Sequence, residues 1–226
     1  MPARGNLFYL YITISIAIFV QRNPLLFGRS VIDDNTDHTI YTTNSVLDYH
    51  LNIFRQDIGN DFEPYRNHCL RVLTFAKHHC GDYCKEREVN LMAMALVYHD
   101  VALWSDKQMN YLEPSAKQMQ AHANDGDEYW TEEEMVTAHE IVMQHHKLTE
   151  WKGDRGDGRL VNSVRKGDWA DATFGLIRYG LPASLLEDVY RRIPESGFHM
   201  VLAGMGGRLS PHSIRGQLAV LNIFKL

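Results

Sequence analysis

The stretch LMAMALVYHDVALW, residues 91–104, sets a histidine and an aspartate side by side in an otherwise apolar run. From residue 88 to 104 the sequence is apolar nearly all round, the pattern of a helix enclosed by other elements rather than one lying on a surface. Ionisable groups are rarely buried alone, because the water they lose must be replaced by hydrogen bonds or an opposite charge. His99 and Asp100 therefore predict partners from elsewhere in the chain.

Around this central segment the hydrophobic spacing predicts further helices. SVLDYHLNIFRQDI (45–58) carries Val46, Leu47, His50, Leu51 and Phe54 near a 3.6-residue period. EPYRNHCLRVLTFAKHH (63–79) has Pro64 suited to a first turn. Segments 113–125 and 131–148 follow, the second opening on Thr131 and Glu134 at capping-box spacing. After the Gly- and charge-rich loop TEWKGDRGDG (149–158), a helix is predicted to run to Gly180, then another over 182–193. The tail LSPHSIRGQLAVLNIF (209–224) is predicted as a last helix. There is no internal repeat, Gly-rich phosphate loop or strand-rich region, so the reading is all-α, a bundle of six to eight helices over residues 45–226.

Residues 1–44 differ in character. LFYLYITISIAIFV (7–20) is apolar but shorter than the roughly 18 residues of a membrane-spanning helix, and no small-residue cleavage site follows. A short membrane anchor, a signal-like segment and an extension of no consequence stay open, within an expectation of a cytoplasmic protein. Residues 29–44 read as a polar connection. A net charge of −5 argues against general nucleic-acid binding. Cys69, Cys80 and Cys84 form a poor disulfide framework, and HHCGDYC lacks the second pair of a zinc knuckle, so reduced thiols are expected.

A buried helix ending in His-Asp calls for a metal. Neighbouring helical side chains diverge by about 100°, so the doublet can converge on one ion only near a helix end and with help from other helices. His68 and Asp168 are the candidates, making two imidazoles and two carboxylates, a mixed nitrogen and oxygen set. The order His68, His99-Asp100, Asp168, in the contexts YRNHCLRV, LVYHDVALW and VRKGDWADATFG, resembles the HD-domain metal-dependent phosphohydrolase superfamily over about residues 45 to 200.

The resemblance implies an HD-like helical bundle in which these four residues hold a divalent ion (Mn, Fe, Zn or Ni), one firmly and a second less certainly. It implies a small phosphorylated substrate attacked by metal-activated water. His145, His146 and His122 are candidates for a second metal or for the substrate phosphate; a solvent-facing role is as good a reading of His122, and His139 is a core or supporting residue. Lys166, Arg165 and Lys147 are candidate phosphate contacts, with at most one of Arg165 and Lys166 able to reach the pocket. Arg66 and Arg71 flank His68, and Asp171, one turn after Asp168, either orients a ligand or forms a salt bridge.

Departures from well-known HD enzymes withhold the substrate. Leu103 and Trp104 stand where several of them carry acids, no GYP follows His145 and His146, and Asp106 is the nearest acid beyond the doublet. Two rivals remain on the same scaffold: a two-iron oxygenase and a non-catalytic module that keeps metal for structure. In NYLEPSAK (110–117), Tyr111 and Glu113 read as an ordinary helix start in preference to pocket lining, while Trp104, Trp130, Trp151 and Trp169 read as core or rim. ESGFHMVLAGMGG (195–207) reads as packing or a pocket-side loop.

Overall fold

Asn44 accepts the backbone N–H of Leu47 at 2.9 Å and so starts α1 (Ser45–Ile53), which buries Val46, Leu47, His50 and Leu51. The computed structural model of the chain describes residues 38–209; the apolar segment 7–20 and the helix expected over the tail lie outside the described residues. After the single turn α2 (Arg55–Ile58) and a 3₁₀ turn comes α3 (Phe62–Cys80), buried continuously from Tyr65 to Ala76 except for the half-buried Arg66. Then follow α4 (Glu86–Tyr98), the short α5 (Ala102–Ser105), α6 (Leu112–His122), α7 (Glu132–Gln144), α8 (Gly158–Ala172), α9 (Ala183–Arg192) and α10 (Phe198–Leu209). Every regular element among the described residues is helical. The HD-like all-α architecture expected from the sequence is the one observed.

α4 is the hub: α1, α3, α6, α7 and α8 all pack on it, and Leu91 to Tyr98 are buried without interruption. The most extensive pairing is α3 with α8. Gly167 sits at that crossing, where an added Cβ would come within 2.8 Å of the Val72 carbonyl oxygen and 3.0 Å of the Ala76 nitrogen. A side chain there would push apart the two helices that carry His68 and Asp168. At the start of α7, Thr131 and Glu134 form the capping box that their spacing predicts, with Glu134 N–H donating to Thr131 Oγ1 at 3.3 Å.

Three expectations need correction. The central segment is not one helix through residue 104: α4 stops at Tyr98. His99 Nδ1–H donates to the Leu96 carbonyl, and Asp100 N–H donates to Tyr65 Oη at 3.3 Å, so the pair that would have made the next helical hydrogen bond is satisfied by side chains. α8 ends at Ala172 rather than Gly180, because Thr173 Oγ1 donates back to Trp169 O and accepts Ile177 N–H, while Phe174 and Gly175 take φ of 51° and 79°. In 195–207, read as packing or a pocket-side loop, the loop alternative gives way to a helix that begins at Phe198.

The cysteines also differ from expectation. Cys80 and Cys84 are joined in a disulfide, leaving Cys69 free and buried. Gly81, at φ 59°, ends α3 and turns the chain so that Cys84 returns to Cys80 with Cα atoms 5.7 Å apart. No helix among the described residues is long and apolar enough to cross a membrane.

Candidate metal centre

Four helix segments aim polar groups at one buried point. α3 supplies His68, the end of α4 supplies His99 and Asp100, the end of α7 supplies His145 and His146, and α8 supplies Asp168. His68, His99, Asp100, His145 and Asp168 are each at most 4% exposed. His68 Nε2 lies 3.1 Å from His99 Nε2 and 3.4 Å from Asp168 Oδ1, and His99 Nε2 lies 3.2 Å from Asp100 Oδ2. Across the cluster His145 Nε2 is 3.4 Å from Asp100 Oδ1. Two groups have the spacing to hold an ion, His68/His99/Asp100 and Asp100/His145/His146, with Asp100 common to both.

The other ring nitrogens fix what these Nε2 atoms are. His68 Nδ1 is 2.7 Å from Asp171 Oδ2, His99 Nδ1 faces the Leu96 carbonyl, and His145 Nδ1 is 2.8 Å from the Val142 carbonyl. Carboxylates and carbonyls only accept, so each Nδ1 carries the hydrogen, and in the neutral ring each Nε2 is a lone pair. Lone pairs 3.1 Å apart repel unless a proton or a cation lies between them. The same holds for His145 Nε2 opposite Asp100 Oδ1, which are buried and have no hydrogen-bond partner among the described residues. Nε2 lone pairs backed by Nδ1 hydrogen bonds, beside carboxylates, are a donor set for a divalent metal.

Electrostatics point the same way. Burial opposes charge on His99, yet Asp100 beside it overrides burial and raises its pKa well above the ordinary histidine value. Burial likewise opposes charge on His68, and Asp168 and Asp171 outweigh it. Burial would raise Asp100 and Asp168, but the facing imidazoles hold both carboxyls below their usual range. The pocket thus favours positive charge within it. His146 is the exception: burial and the adjacent His145 lower it to about 3, so it is neutral.

Behind His68 stands a buried ion pair. Arg71, fully buried, donates to both oxygens of Asp171 at 2.7 and 2.9 Å and to the Pro194 carbonyl at 2.8 Å. Tyr190 Oη donates to Asp171 Oδ1 at 2.9 Å. Asp171 therefore forms the salt bridge its spacing allowed and also holds the ring of His68. Phe198 stacks on the His68 ring at 4.0 Å between centroids. Tyr65 Oη donates to the Val97 carbonyl at 2.9 Å beneath the doublet. Tyr65, Tyr190 and Phe198 were not foreseen, since aromatic residues in apolar helices carry no signal beyond core.

Other expected contacts are placed elsewhere. His122 is on the rim, 2.8 Å from Asp125 and edge-on to Phe54, because α6 turns it away from the cluster. Arg165 is buried as a strut, donating to the Lys147 and Leu148 carbonyls at 3.0 and 2.9 Å. Lys166, about 200° around α8 from Asp168, lines a separate groove with His79, Trp151 and Ser163. Lys147 meets Arg165 through its backbone, and Arg66 pairs with Asp48 at 2.6 Å. His139 lies beside Glu140, and Asp106 and Glu113 are exposed. Tyr111, by contrast, is buried with its hydroxyl hydrogen-bonded to His146 Nε2.

A family model described as the HD domain matches residues 65–182, more than half of the chain, a span that includes every residue of the cluster. No curated protein and no solved structure matches the chain.

Proposed function

The chain belongs to the HD-domain family, and from that premise we propose that it is a metal-dependent phosphohydrolase acting on a small phosphorylated substrate, with nucleotides the first class to test. The observation that carries this is the convergence of buried Nε2 lone pairs on the carboxylates of Asp100 and Asp168. His68, His99, Asp100 and Asp168 would hold the ion. When bound, a divalent ion acidifies water and draws charge from a phosphoryl oxygen.

The chain's residues do the rest. Arg71 and Asp171 fix the ring of His68, and the Leu96 carbonyl fixes that of His99, so the donor set is assembled before any ligand arrives. With Arg165 and Lys166 turned elsewhere, the polar groups beside Asp100 and Asp168 on the remaining side are His145, His146 and Tyr111. A phosphate there would be met by His146 and the metal rather than by an arginine clamp. That arrangement suits a small substrate.

Elemental analysis of purified protein, followed by a phosphoester screen with Mn²⁺, Fe²⁺, Zn²⁺ and Ni²⁺, tests the reading. It requires turnover with at least one pair of ion and ester, and loss of both metal and turnover in Asp100→Ala. A second reading, a two-iron oxygenase, is favoured by one observation, the sharing of Asp100 between two ion-sized groups. It requires two irons per chain and oxygen uptake. One non-redox ion per chain excludes it.

A further inference from the structure

His145 and His146 are neighbours at the end of α7, yet they present different atoms to the cluster. His145 donates Nδ1–H to the Val142 carbonyl and turns a lone pair inward. His146 is held from the other end, with its Nε2 hydrogen-bonded to Tyr111 Oη. Burial, with the carboxylates of Asp100 and Asp168 adding to it, keeps the Tyr111 phenol protonated. It therefore has a hydrogen to give, and His146 Nε2 lies within hydrogen-bond reach of it.

An imidazole that accepts at Nε2 carries its own hydrogen at Nδ1. That Nδ1 lies 3.8 Å from Asp168 Oδ2. Tyr111 is itself firmly placed. It caps α6, its ring meets the His146 ring edge-on at 6.0 Å, and α6 is tied to α5 by Ala102 N–H donating to Ser115 Oγ at 3.2 Å.

We propose that Tyr111 is a positioning residue that withholds His146 Nε2 from metal and holds the ring as an Nδ1–H donor for a phosphoryl oxygen of the substrate. This rests on the phosphohydrolase reading for the identity of the ligand, but the pairing itself does not. Of the two ion-sized groups, the one containing His146 is thereby short of a ligand, and the adjacent histidines divide the work: His145 belongs to the cation, His146 to the anion.

The test uses the zinc-loaded full chain, which is diamagnetic, as wild type, Tyr111→Phe, His146→Ala and His146→Asn. Long-range ¹H–¹⁵N correlation spectra read the His146 tautomer, elemental analysis reads zinc per chain, and inorganic phosphate is the binding probe. The expected result is an Nδ1–H tautomer in wild type and an increased Nε2–H fraction in Tyr111→Phe. Zinc content stays at the wild-type value in all variants. Phosphate affinity falls about 10-fold in Tyr111→Phe and His146→Ala, the order of one hydrogen bond to a charged group, with partial recovery in His146→Asn, whose amide hydrogen replaces Nδ1–H. Loss of zinc from His146→Ala, an Nε2–H tautomer in wild type, or unchanged phosphate affinity in Tyr111→Phe would each overturn the proposal. If wild type binds zinc and no phosphate, the phosphohydrolase reading fails instead, and the tautomer still decides for or against the Tyr111 pairing.

Discussion

His99-Asp100 and His145-His146 are two doublets built to one plan. Each begins at a helix C-terminus, and in each the first histidine donates Nδ1–H to the carbonyl three residues back, Leu96 in one and Val142 in the other. That bond caps the helix and aims Nε2 into the cluster. The second members differ. Asp100 brings charge to the centre between the two groups, whereas His146 is neutral and anchored by Tyr111. On the reading proposed above, the same local device would serve metal on one side and substrate on the other.

The strongest way to break this comparison is to truncate both second members. Asp100→Ala is expected to lose bound metal and to lower turnover at least ~10³-fold, since both the ion and its effect on water go together. His146→Ala keeps its metal and loses about 10-fold, so equal losses of metal in the two variants would erase the distinction.

Next comes the support behind each doublet. Only the first faces a histidine braced by a buried ion pair, Arg71 with Asp171. Arg71→Met leaves buried Asp171 without its guanidinium, and should cost about 3–5 kcal/mol in a denaturant titration, with weaker metal binding. A loss below about 1 kcal/mol would mean that His68 alone neutralises Asp171. Gly167→Ala, which drives a methyl group into the α3 backbone, is expected to cost about 1–3 kcal/mol and to weaken metal binding by displacing Asp168 from His68.

Acid sharpens the contrast in metal-free protein. His99 has a raised folded pKa, so its contribution is fully present below the unfolded value near 6.5 and is lost as pH rises through the folded pKa. His146, lowered to about 3, contributes above about 6.5 and loses that contribution as pH falls toward 3. Urea midpoints between pH 4 and 8 should therefore decline less on acidification in His146→Asn than in wild type, by on the order of 1 kcal/mol. Parallel profiles would contradict the assignment. The change expected to leave the cluster untouched is the replacement of Cys80 and Cys84 by Ala, which opens only a short loop: about 1–2 kcal/mol and no change in metal content.

The fold and the buried polar cluster were legible because polar residues interrupt apolar helical runs at His68, His99-Asp100 and Asp168, where burial demands a reason. What was not legible depends on distance along the chain or on competition for hydrogen bonds. Nothing in LVYHDVALW marks a helix end; it follows from Tyr65 and His99 taking the Asp100 N–H and Leu96 carbonyl. Tyr111 and His146 are 35 residues apart, and only the docking of α6 on α7 brings them together. Lys166 could have been set aside from helical phase alone, being on the far side of α8 from Asp168. Arg165 could not, since its fate depends on where the loop after α7 leaves its carbonyls. The spacing of Cys80 and Cys84 around Gly81 was a usable sign of a turn, and the odd cysteine count outweighed it in the reading.

The central claim is that His68, His99, Asp100 and Asp168 hold one divalent ion between them. Elemental analysis of wild type and Asp168→Asn, purified in parallel and dialysed against metal-free buffer, tests it without reference to any substrate. One tightly held divalent ion per chain is expected in wild type and almost none in the variant. A folded Asp168→Asn protein that retains a full equivalent of metal would contradict it.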